Sequence, residues 1–134
     1  MRVFVTGAAG FIGSGVVPDL IAAGHTVTGL ARSDANVETL KHMGADVLRG
    51  SLEDLDSLKR GAAEADGVIH LAFIHDFAKF AENGQIDKRA IEAMGEALVG
   101  TNKPLVVTSG VGLLAPGRLS TEEDVARIGD PITR

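Results

Sequence analysis

Three glycines spaced by two residues, Gly7, Gly10 and Gly13, follow the short apolar run Val3-Phe4-Val5 and lead into a helical pattern. A strand, a glycine turn and a helix in that order form the context in which such a spacing signals phosphate binding rather than an ordinary loop. Gly7 can take backbone angles that a side chain forbids and so make the sharp exit from the strand. Gly10 lets the main chain approach a pyrophosphate, and Gly13, lacking a Cβ, lets the helix lie close on the strands. The following helix then aims its unpaired N–H groups and the positive end of its dipole at an anion in the turn.

Beyond this turn, strand-like and helix-like stretches alternate. Phe11, Ile12, Val16, Val17, Leu20 and Ile21 recur at helical spacing up to Gly24, with Pro18 expected to kink the helix slightly without breaking it. His25–Ala31 reads as a second strand, Asn36–Met43 as a helix stopped by Gly44, and Ala45–Gly50 as a third strand. Leu52, Leu55, Leu58 and Ala62 mark a helix entered through Ser51–Asp54, and Asp66–Ala72 is apolar enough for a strand buried on both faces. Residues 73–84, with Phe73, Phe77 and Phe80, fit either a helix face or a loop over a ligand. Gln85–Val99 reads as a helix and Pro104–Ser109 as a fifth strand. Residues 111–118 are punctuated by glycine and proline, and Ser120 with Glu123 has the capping-box pattern of a last short helix. Such alternation implies an α/β fold with a parallel sheet between helix layers. Right-handed crossovers give strand order 3-2-1-4-5, with a crevice between strands 1 and 4 at their carboxyl ends.

The 134 residues, 45% hydrophobic and 23% charged, suit a single domain over 1–134 that buries roughly two-thirds of its unfolded surface. A net charge of −5 without a basic run argues against nucleic acid or an anionic membrane as partner. The absence of cysteine excludes disulfides, thiolate metal sites and a cysteine nucleophile. No signal-peptide pattern and no apolar run of membrane length is present, so the expectation is a soluble, cytoplasmic protein.

Val3–Gly13, Gly24-His25-Thr26-Val27, Val68-Ile69-His70-Leu71-Ala72 and Val106-Val107-Thr108-Ser109 together resemble the short-chain dehydrogenase/reductase superfamily. The likeness is to its extended or atypical branch, which includes nucleotide-sugar epimerases, dehydratases and related reductases. It implies a three-layer, Rossmann-type doubly wound sheet that holds NAD or NADP. It places the cofactor on Gly7, Ala9, Gly10, Phe11, Ile12 and Gly13, on Arg32 and Ser33, on the backbone at Leu52, and on Leu71, Ala72 and Phe73. Ala31 stands where NAD-preferring relatives carry an acid and Arg32 follows it, so NADP is preferred, with NAD possible. Asp34 either returns to the ribose or caps the next helix. Ser51 stands where the family often has an adenine-binding aspartate, and a helix cap is the alternative role.

Members of that branch are longer, with further strands and a C-terminal substrate part that these residues do not include. They use a Tyr-x-x-x-Lys pair to exchange a proton with a hydroxyl or carbonyl substrate. This chain has no tyrosine. Ser109, after strand 5, is the candidate catalytic residue; its alternative is a strand-end hydroxyl serving local backbone. Three function readings stay open: the cofactor half of a reductase, epimerase or dehydratase with a small-molecule substrate, a non-catalytic NADP sensor or regulator, and a remnant whose glycine turn persists for folding and binds little. No metal site is expected, since His70, which with His75 and Asp76 could be drawn as ligands, falls in a buried strand. Glu122, Glu123 and Asp124 fit the acidic first turn of a helix. An exposed edge at strand 5 predicts a homo-oligomer.

Overall fold

The computed structural model describes residues 1–110 and 117–125. Within them the chain runs β1 (Arg2–Thr6), α1 (Gly13–Ala22), β2 (Thr26–Ala31), α2 (Asp34–His42), β3 (Asp46–Arg49), α3 (Leu55–Glu64), β4 (Gly67–His70), a 3-10 turn (Phe77–Lys79), α4 (Phe80–Leu98) and β5 (Leu105–Val107). All four strand pairings are parallel, and the order is β3-β2-β1-β4-β5, the Rossmann-type arrangement expected from the alternation.

The side-chain period of the central strand divides the interior in two. Val3 and Val5 of β1 join Val27, Val17, Val37 and Leu40 in the layer under α1 and α2. Phe4 points the other way, into a second layer with Leu58, Ala62, Val68, Ala90 and Met94 of α3, β4 and α4. Phe4 explains a glycine inside α3: a Cβ on Gly61 would lie 2.6 Å from the Phe4 ring. Burying that ring contributes about 1.5–3 kcal/mol, which outweighs the roughly 0.5–1 kcal/mol that a mid-helix glycine costs.

Helix ends follow from local hydrogen bonding. Gly24 stops α1 at φ +84°, and the N–H groups of Gly24 and His25 return to the carbonyls of Ile21 and Leu20. Gly44 and Ala45 close α2 in the same way, on Lys41 and Leu40. α1 continues through Pro18. α2 begins two residues earlier than its periodicity predicts, because the Ser33 side chain accepts from Asn36 N–H at 3.2 Å. Ser51 does not cap α3; that role falls to Asp54, whose carboxylate accepts from Ser57 N–H at 3.1 Å, and Ser51–Asp54 is a turn.

The ambiguous stretch 73–84 contains both of its expected forms. Residues 71–76 are loop, and α4 then starts at Phe80 rather than at Gln85. Gly84 faces open space, so it costs this helix only about 1 kcal/mol. Ser120 and Glu123 form no capping box within 117–125: Thr121 N–H donates to Asp124 in a turn instead. The punctuated segment over 111–116 and the remainder of the expected last helix, 126–134, lie outside the described residues. Among the described residues, no helix is long and apolar enough to cross a membrane.

Candidate functional site

A cleft of about 600 Å³ opens at the carboxyl edge of the sheet. Its walls are the segments that leave four successive strands: the glycine turn after β1, Leu30 and Arg32 at the end of β2, Gly50–Glu53 after β3, and Leu71–His75 after β4.

The glycine turn is built by steric exclusion. Gly7 has φ +69°, and a Cβ there would stand 2.7 Å from the backbone nitrogen of Ala72, so the β1 and β4 exits touch main chain to main chain. A Cβ on Gly13 would collide with the carbonyl oxygens of Gly7 and Ala8. That corrects the expectation for Gly13, whose missing side chain lets the helix start sit on its own turn rather than on the strands. No side chain caps α1 at Ile12 and its first turn carries no acid, so the positive end of its dipole meets no protein carboxylate at the cleft, while the N–H groups of Ser14, Gly15 and Val16 donate to the carbonyls of Gly10 and Ile12. Phe11 is 98% exposed on the rim.

Of the residues singled out from the sequence, Gly7, Ala9, Gly10, Phe11, Ile12, Arg32, Leu52, Leu71, Ala72 and Phe73 line this cleft. Gly13 and Ser33 do not: the first is buried under the turn and the second is occupied as the α2 cap. Ser109 is exposed beyond β5 and is not on the cleft wall. Asp34 is the first residue of α2 and pairs with Arg49 of β3. The hydrogen bond from Arg49, and then its charge, hold the Asp34 carboxyl below its ordinary pKa. Asp34 is thus engaged across β3, while Arg32 stands at the cleft.

Asn36, Glu53, Ile74 and His75 also line the cleft, and the sequence reading did not propose them for it. Asn36 was findable, since it sits one turn beyond the Ser33 cap and so near the end of α2 that faces the ligand edge. On the β4 exit, the Phe73 ring meets His75 edge-on at 5.4 Å and Phe80 at 5.7 Å, which ties this loop to the start of α4.

Beneath the cleft lies a buried polar chain. Thr6 Oγ1 is 2.6 Å from His70 Nδ1, His70 Nε2 is 3.0 Å from Asp87 Oδ1 of α4, and the N–H of Ala72 donates to Thr6 Oγ1 at 3.3 Å. His70 is thus a satisfied core histidine, as its place in a buried strand predicts. Asp87 was missed, although a carboxylate on the apolar stripe Ile86, Ala90, Met94 is a visible break in pattern.

Comparison with known proteins agrees with this geometry. Residues 7–128 match a family described as NAD(P)H-binding. An uncharacterized protein of Schizosaccharomyces pombe is 54% identical over 123 residues, covering 91% of this chain and 42% of that protein. Dihydroflavonol 4-reductase of Hordeum vulgare is 34% identical over 123 residues, covering 82% and 35%. Among solved structures, UDP-glucose 4-epimerase from Bifidobacterium longum, in complex with NAD+ and UDP, superposes with a TM-score of 0.74 at 23% identity, covering 98% of this chain and 44% of that one. The chain therefore spans about two-fifths of the length of the curated relatives it matches.

Proposed function

This chain belongs to the NAD(P)H-binding family, and we propose that it falls in the extended or atypical branch of the short-chain dehydrogenase/reductase superfamily and that its cleft selects NADP for a reductase, epimerase or dehydratase. The observation that carries this reading is the arrangement at the end of β2. Arg32 lines the cleft, Ala31 beside it is buried and apolar, and the nearest acid in sequence, Asp34, is engaged by Arg49. A ribose 2′-phosphate would meet a guanidinium there with the Asp34 carboxylate held by Arg49, while the carboxylate on the cleft wall, Glu53, belongs to the β3 exit.

The rest of the cleft fits a dinucleotide. The glycine turn and the α1 N-terminus suit its pyrophosphate, and Gly50–Leu52 with Leu71–Phe73 provide a mixed polar and apolar wall for its adenosine. When bound, the dinucleotide supplies hydride transfer to or from a hydroxyl or carbonyl carbon. The chain's own part is to bind and orient it, and residues 1–134 form one binding unit in this proposal. Ser109 is kept as the candidate for substrate contact, set apart from the cleft. A cytoplasmic location and an unidentified small-molecule substrate belong to the same proposal.

The second reading is a dinucleotide sensor without turnover, favoured by the absence of tyrosine in these residues. Turnover of NADPH with a panel of carbonyl compounds separates the two readings. Titration with NADPH and NADH tests both. NADPH is expected to bind more tightly, and Arg32→Ala should weaken it about tenfold or more while leaving NADH nearly unchanged. Equal affinities in the unmodified chain would contradict the assignment of Arg32.

We further propose that copies of the chain associate through β5, where Val106 is 55% and Val107 38% exposed. Sedimentation should give at least a dimer that Val106→Lys dissociates; a monomer at high concentration would refute this.

A further inference from the structure

The cleft wall rests on a polar chain whose cost the interior need not have borne. Thr6, His70 and Asp87 are each 0% exposed. Asp87 is the one charged residue on the buried face of α4, where Asn83 precedes it by one turn and Ile86, Ala90, Ala93, Met94 and Leu98 are apolar, and an aliphatic side chain there would pack without desolvating a carboxylate.

The directions of the hydrogen bonds can be assigned. Ala72 N–H is a donor, so it occupies a lone pair of Thr6 Oγ1. The hydroxyl proton of Thr6 then needs an acceptor, and among the described residues His70 Nδ1 is the group within reach. Nδ1 must therefore be bare, and the ring carries its proton on Nε2, facing Asp87 Oδ1 at 3.0 Å. The chain runs one way: Ala72 N–H to Thr6, Thr6 O–H to His70, His70 Nε2–H to Asp87.

We infer that Asp87 and His70 are positioning residues for the cofactor cleft: Asp87 fixes the tautomer of His70, which orients the Thr6 hydroxyl to hold Ala72 and with it the loop 71–75. The inference rests on the reading of the cleft as a dinucleotide seat. It gives α4, whose own residues do not line the cleft, a hold on the cofactor's binding wall.

The first test needs no substitution. Long-range proton–nitrogen NMR of the imidazole rings in the unmodified chain should show His70 as the Nε2–H tautomer; the Nδ1–H form would overturn the inference. The second test is a double-mutant cycle on NADPH affinity. Asp87→Leu and Thr6→Val should each weaken NADPH about tenfold and speed hydrogen exchange at Ala72 by a similar factor. The double variant should be no weaker than either single, and Thr6→Ser should restore both readouts. Independent effects of the two substitutions on affinity, or unchanged exchange at Ala72, would overturn the inference whatever the variants' melting temperatures. If the unmodified chain binds no dinucleotide while the tautomer and the exchange are as expected, the wiring is supported and the reading of the cleft is what fails.

Discussion

The central strand β1 and the edge strand β5 are written in the same alphabet, Val3-Phe4-Val5 against Leu105-Val106-Val107, and meet opposite fates. Phe4 and Val5 are fully buried, whereas Val106 is 55% exposed. The register explains the difference. Val5 pairs with Ile69 and Ile69 with Val106, so all three share the face that α1 and α2 cover over β1–β3, and that cover does not extend to β5. The β1–β3 side is closed on both faces and, with the β4 exit, walls the cleft. The β5 side holds Ser109 and leaves an apolar face bare among the described residues. In the proposed function, the closed side holds the cofactor, and Ser109 on the β5 side is the candidate for substrate contact.

Substitutions can break that contrast, beginning with the core. In thermal or urea unfolding at concentrations that keep the chain monomeric, Leu58→Ala, at a fully buried position, should cost about 2–5 kcal/mol and Val106→Ala no more than about 0.5 kcal/mol. Equal losses would mean that β5 is as well covered as β1. Gly7→Val should lower stability by about 2–4 kcal/mol and remove dinucleotide binding, since it forces a β-branched residue into positive φ against Ala72. A Gly7→Val chain that still binds would show that the β1 and β4 exits need not touch.

The smallest effect is electrostatic. The Asp34 pKa is lowered in the folded chain, so its pair with Arg49 contributes stability above the ordinary carboxylate range and loses it as pH falls below about 4. Arg49→Ala should return the Asp34 titration, followed by carboxyl NMR, to its ordinary value. It should also free the acid to oppose a 2′-phosphate, which lowers the preference for NADPH a few-fold. An unchanged preference would remove Arg49 from the specificity argument.

Most of the fold was legible because its signals are local. Alternating strand and helix patterns gave the order of the sheet, and Gly24 and Gly44 stop their helices as read. What was not legible depends on partners distant in sequence or on competing caps. Ser51 and Asp54 offer equally plausible caps, and the geometry after β3 favours Asp54. Gly84 looks like a break in sequence and is harmless in space because it faces outward. Glu53 and His75 reach the cleft only through turns that leave no periodic trace. Asp87 carried a signal, a charge on an apolar stripe, but its meaning required His70, 17 residues away in the chain.

The central claim is that a dinucleotide is seated by the closed side of the sheet and not by the β5 end. Backbone amide NMR during an NADPH titration tests it most directly. The account predicts saturable shifts concentrated at Gly7–Gly13, Arg32, Asn36, Gly50–Glu53 and Leu71–His75, with Val106–Ser109 little affected. Shifts centred on Val106–Ser109, or no saturable shift at all, would contradict it.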